Sequence, residues 1–203
     1  MEYSKEFKKA LSEFSSVEKD RLIFRLLKKD RILSHKLYFE LIDPETEDEK
    51  RATMETLIID EMEAASKYLR NPKYFLVLIR KISAKITEHV KITSDKFGDV
   101  SLNLLLINEI LNKSDNFRDA YKLYIYLLNK IFKLLILTEK LDPDYYLELE
   151  NSFEILQNVI TRNKELSHLS ILHGLDLNWL KPENIPEHIA LIQKNIKSEG
   201  FLR

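Results

Sequence analysis

Apolar residues recur at helical spacing along almost the whole chain, and the densest stretch is 117–137, FRDAYKLYIYLLNKIFKLLIL. Fifteen of its 21 residues are apolar or aromatic. The exceptions are Arg118, Asp119, Lys122, Asn129, Lys130 and Lys133. At 100° per residue these six fall within an arc of about 120°. The rest of the cylinder is Leu, Ile, Phe, Tyr and one Ala, so such a helix needs neighbours on several sides. The pattern predicts a central helix here, with the other helices laid around it.

Helix-start signals divide the remainder. A short charged helix fits residues 3–13. Ser15 and Glu18 have the spacing of a capping box, in which each side chain satisfies a free backbone N–H at the helix start. Val17, Leu22, Ile23, Leu26 and Leu27 then share a face, and Asp30 caps a second segment carrying Ile32, Leu33, Leu37, Tyr38, Leu41 and Ile42. Asp43-Pro44 ends it. Thr46 with Glu49 forms another capping box, opening a seam of Met54, Leu57, Ile58, Met62, Ala65 and Leu69.

Asn71-Pro72 restarts the chain, with Asn as N-cap and Pro at the first helical position, where its missing N–H costs nothing. The seam Phe75, Ile79, Ile82, Ile86 and Val90 follows, and the spacing ends this helix near Gly98. Asp99 or Ser101 opens a shorter helix with Leu104, Ile107, Ile110 and Leu111. Ser114 or Asp115 opens the central one. After Asp142-Pro143, residues Tyr146, Leu149, Phe153, Leu156 and Ile160 repeat at three and four, a heptad-like seam that fits packing within the chain or against a second copy. Residues 164–173 form a short helix closed by Gly174, with Leu175 placed for a Schellman cap. A loop with Trp179 and Pro182 leads to a last helix through Ile185, Ile189, Ile192 and Ile196.

The caps Asp43, Asn71 and Asp99 recur at equal intervals of about 28 residues, which fits helices of about 24 residues and 36 Å joined by short loops. Short loops make consecutive helices antiparallel neighbours. The expected fold is therefore a single all-α domain over residues 1–203, an antiparallel multi-helix bundle around a central buried helix. A short HEAT-like α-solenoid is the alternative.

Composition supports the helical reading. Three glycines in 203 residues is about a fifth of ordinary usage, and none precedes Gly98. Tight hairpins, Rossmann crossovers and phosphate-cradling loops need glycine where φ is positive or where backbone approaches a ligand. The absence of cysteine excludes disulfides, thiolate metal sites and cysteine nucleophiles. The charged N-terminal sequence is unlike a secretory leader, and lysines interrupt the stretch 117–137 before it reaches membrane-spanning length. A cytoplasmic protein without membrane association is the expectation.

Charge alternates in blocks although the net value is −1. Residues 1–42 carry +3, residues 43–63 carry −7, residues 64–100 carry +5, residues 101–141 carry +2 and residues 142–203 carry −4. The acidic cluster Glu45, Glu47, Asp48 and Glu49 sits where a helix macrodipole favours negative charge.

Chemistry-bearing motifs are few. Glu165 and His168 form one Glu-x-x-His pair, with His173 and His188 nearby. Di-iron bundles need two such pairs and two further glutamates, so no metal ligand set is assigned. Asp142-x-Asp144 lacks the glycine of a calcium loop, and there is no nucleophile elbow or phosphate loop. The sequence implies no cofactor and no catalytic residue.

Arg118, Lys122, Tyr126, Lys130 and Lys133 line the polar stripe of the central helix. Arg21, Arg25, Lys28 and Lys29, continuing to Arg31 and Lys36, form a second basic run, and Lys81 with Lys85 a third. Cations interleaved with an aromatic can track a phosphate backbone and stack a base, and helical repeats can gather such stripes into one groove. The leading expectation is a non-enzymatic helical interaction or scaffold module that binds another protein. The alternatives are a nucleic-acid-binding protein using these basic stripes and a helical-bundle metalloprotein. Homo-oligomerisation is compatible with all of them.

Overall fold

The computed structural model describes residues 3–113, 117 and 120–203, and among these it contains ten α-helices and no strand. They are α1 (Lys5–Ser12), α2 (Ser16–Leu27), α3 (Arg31–Leu41), α4 (Glu47–Ser66), α5 (Pro72–Thr93), α6 (Lys96–Asn112), α7 (Tyr121–Thr138), α8 (Tyr146–Arg162), α9 (Lys164–Leu172) and α10 (Ile189–Ser198). Short 3-10 turns occupy Pro143–Tyr145, Leu177–Leu180 and Pro182–Asn184.

Both capping boxes form. Ser15 Oγ accepts the Glu18 N–H while Glu18 accepts the Ser15 N–H, and Thr46 and Glu49 do the same. Asn71 caps α5 at the Tyr74 N–H, with Pro72 at the first helical position. The Schellman cap after α9 is also present. Gly174 takes φ +74°, its N–H donates to Ile171 O, and the Leu175 N–H donates to Ser170 O at 2.9 Å.

The boundary between α5 and α6 differs from the expectation. Ser94 ends α5 in a left-handed conformation, φ 61°, and Asp95 caps α6 by accepting the Gly98 N–H at 2.7 Å. Gly98 therefore lies inside a helix. A Cβ there would overlap the Asp95 carboxylate, so glycine leaves room for the cap. The proposed starts at Ser114 and Asp115 lie outside the described residues, and the described part of α7 begins at Tyr121. Ile185 also precedes the last helix, which starts only after His188, at φ 63°.

The helices form a bundle. Each of α4, α5 and α6 packs on the next, and α4, α6 and α8 lie side by side, as do α3, α5 and α7. The central position is shared. α7 buries Leu123, Tyr124, Leu127, Leu128, Ile131, Phe132, Leu134 and Leu135, whereas α6 is enclosed by α4, α5, α7 and α8. The seam Leu149, Phe153, Leu156 and Ile160 of α8 is buried within the chain, against α6. Asn108 of α6 donates to Ser152 O across this contact. Contacts Phe75–Phe117, Arg80–Tyr126 and Ser83–Lys130 progress together, so α5 and α7 run parallel.

Helices α1 to α3 are different. None of their residues is buried. α3 rests on α5, with Arg31 pairing Glu88 at 2.7 Å and Lys36 Nζ donating to Ser94 Oγ at 2.9 Å. α2 touches α3 lightly, and α1 packs extensively on no other described helix. No described helix is long and apolar enough to cross a membrane.

Candidate functional site

The predicted basic stripes do not merge into one groove. Arg118 lies outside the described residues. Lys122 and Lys133 are exposed on α7 and Tyr126 is half-buried. Lys130 leaves the solvated stripe altogether, because it is only 8% exposed. Its Nζ donates to Ser83 Oγ of α5 at 2.8 Å and to Asn103 Oδ1 of α6 at 2.7 Å. Burial, with the like charge of Lys133, lowers its pKa from 10.5 to about 8. Asn129, in the same stripe, donates to Leu202 O. Part of the polar stripe is thus a packing face that ties α7 to α5, α6 and the C-terminal segment.

Lys81 and Lys85 point away from α7. They line a cleft against α4 with Tyr68 and Tyr74, and Lys85 pairs with Glu61. Arg21, Arg25, Lys28 and Lys29 are all exposed on α2 and its end. The cations that do meet Lys122 are Lys73 and Arg80 of α5. These three surround a cleft of about 520 Å³ with Leu76, Tyr121 and Leu123. Arg80 lies 5.5 Å from the centre of the Tyr126 ring. Lys73 and Arg80 are two helical turns apart and therefore share a face. That spacing was visible in the sequence, but nothing there paired the face with α7.

The metal idea fares no better geometrically. Glu165, His168 and His188 are exposed, while His173 is buried with Nδ1 accepting the Leu202 N–H at 3.0 Å. Among the described residues no group of three His, Asp or Glu side chains converges on a point.

The largest departure from an ordinary monomer surface is apolar. Phe7, Phe14, Val17, Ile23, Phe24, Leu26, Tyr38, Leu41 and Ile42 all stand in solvent on α1 to α3 and their junctions. Phe24 is 63% and Leu41 75% exposed. Periodicity placed Val17, Ile23 and Leu26 on one helix and Tyr38 and Leu41 on the next, where α2 and α3 have them. It carried no signal that the faces would lack a covering helix within the chain. Large exposed apolar patches on a folded chain mark interaction surfaces. The same stretch exposes Arg21, Arg25, Lys28 and Lys29 together with Glu13, Glu18, Asp20 and Asp30.

Comparison with family models, with curated proteins and with solved structures gives no match to this chain.

Proposed function

We propose that the protein is a non-enzymatic interaction module that seats another protein on α1 to α3. The observation that carries this reading is the combination of many exposed large apolar side chains with no buried residue in three consecutive helices. Amphipathic helices gain their stability by burying an apolar face; α3 covers part of its own against α5, whereas those of α1 and α2 stand open. The net charge of +3 over residues 1–42 suits a partner with an acidic surface, since complementary charge speeds encounter and fixes register. The pairing of α4, α5 and α6 each with its next and next-but-one neighbour also suits a short HEAT-like stack, an architecture that displays extended faces. The core then acts as a platform for the three helices.

The test places a photo-crosslinking amino acid at position 24 on α2 and, as a control, at exposed position 147 on α8, in cells of the native host. The reading expects a protein adduct at position 24 that survives nuclease, is absent at 147, and disappears in Ile23→Asp. Adducts equal at both positions, or unchanged by Ile23→Asp, would overturn it. An adduct with a second copy of the chain would identify the partner as itself.

A second reading has one observation in its favour. Lys73, Arg80 and Lys122 face each other beside Tyr121, which suits a single-stranded nucleic acid whose base stacks while its phosphates meet cations. Retention on single-stranded RNA that falls steeply with salt, and weakens uniformly in Arg80→Glu, is the expected result. No retention at low salt removes this reading.

A further inference from the structure

Helix α4 turns one side to the core and leaves the other bare. Ile58, Met62 and Ala65 are buried against α5 and α6, whereas Ala52, Thr56, Ile59, Asp60 and Glu63 are exposed on the opposite side. Among the described residues only α5 and α6 pack extensively on this helix. The bare side is acidic. Residues 43–63 carry −7, and neither Glu47 nor Asp60 has an ion-pair partner among the described residues. It is also shallow, because Ala52 and Thr56 are small.

Helix α2 has the complementary character. Val17, Arg21, Phe24 and Lys28 follow one another at four, three and four residues, so they form one stripe along the helix. All four are exposed, Val17 at 58% and Phe24 at 63%. Neither Arg21 nor Lys28 forms an ion pair among the described residues. Ala52, Thr56, Ile59 and Glu63 have the same spacing on α4. The two stripes thus offer large side chains to small ones, which lets helices interdigitate at about 8–10 Å. They also offer cations to carboxylates, and such complementarity selects a partner. α2 spans about 18 Å and α4 about 30 Å, so the longer helix can seat the shorter along its whole length. Within one chain α2 packs lightly on α3 and makes no comparable contact with α4.

We infer that the partner of α2 is a second copy of this chain, which receives it on the outer face of α4. The inference rests on α1 to α3 being an interaction surface, and residues 43–63 of the second copy supply the acidic surface that suits it. Each copy gives one helix and receives one, so the contact closes as a twofold dimer.

The chain has no cysteine, so single cysteines report the contact without background. Phe24→Cys and Thr56→Cys are purified separately, mixed and treated with a short bismaleimide. The expected result is a two-chain product formed at least fivefold more in the mixture than with either variant alone. Sedimentation of the unsubstituted protein should show dimers whose dissociation constant rises with salt. It should rise at least tenfold in Thr56→Arg, which puts a cation on the seat. A single-chain mass at every concentration, a mixture that crosslinks no better than Phe24→Cys alone, or a dimer indifferent to Thr56→Arg overturns the inference. The interaction-module reading stands or falls separately, because position 24 can still capture a different protein in the native host.

Discussion

Arg51 Nε donates to Asp95 Oδ2 at 2.7 Å, with the Asp95 carboxylate only 3% exposed. The other oxygen of Asp95 accepts the Gly98 N–H, so one carboxylate both caps α6 and fastens it to α4. The Arg51 guanidinium also lies 4.8 Å from the centre of the Phe97 ring. Removing one partner of such a pair leaves a desolvated charge unmatched and here removes an N-cap as well. Asp95→Ala should cost about 3–5 kcal/mol, measured by urea unfolding. Gly98→Ala, which drives the carboxylate out of its seat, should cost about 1–3 kcal/mol.

Tyr124 is fully buried, and its hydroxyl accepts the Phe117 N–H at 3.0 Å and the Asn163 side-chain amide at 3.3 Å. Tyr124→Phe keeps the ring and orphans both donors. A loss of about 1–3 kcal/mol is expected in the same assay.

Lys130 gives a pH signature. Its pKa is about 8 in the folded chain against 10.5 when unperturbed. Between those values the unfolded chain holds the proton and the folded chain does not, so stability rises with pH across that window. The stability difference between the unsubstituted protein and Lys130→Met should therefore move in favour of the former from pH 8 towards 10.5. A flat difference would show that the ammonium is not desolvated.

His89 acts at the other end of the scale. Burial depresses its pKa below 6.5, with the positive charges of Arg51 and Lys50 helping and Asp95 opposing. Above about pH 6.5 the ring is neutral whether folded or unfolded. Below it the unfolded chain takes up the proton first, so stability falls with acidification. His173, depressed by its own burial, adds to the same slope. His89→Phe should make the decline between pH 6.5 and 5 shallower in denaturant titrations.

Native-state hydrogen exchange should separate the N-terminal helices from the core. Amides of α1 and α2 have no buried side chains above them and should exchange through small openings. Those of α6 should need nearly global unfolding.

The local grammar of this chain was open to reading. Ser15 with Glu18, Thr46 with Glu49, Asn71-Pro72 and Gly174-Leu175 act through neighbours three to five residues away, and all four form as the spacing requires. The apolar seams of α5 and α8 were equally legible, since burial follows periodicity. What sequence could not give was which face meets which. Lys130 and Lys133 share one stripe on α7, yet α5 and α6 cover the first and leave the second in water. Asp99 looked like the cap of α6 because it precedes an apolar run. Asp95 holds that place, since the left-handed turn at Ser94 comes first and Arg51, 44 residues earlier in the chain, pairs with the cap.

The three-way contact of Lys130 also acts as a key. A rotation of α7 by one residue swings its side chains through 100° and carries Nζ away from both Ser83 and Asn103. The Leu and Ile residues around the helix would tolerate that turn, because one branched aliphatic side chain fits much where another did. The amine would not, since it would lose both oxygens while staying out of water. One polar atom thus selects a single angular setting for a helix whose greasy circumference would otherwise accept several.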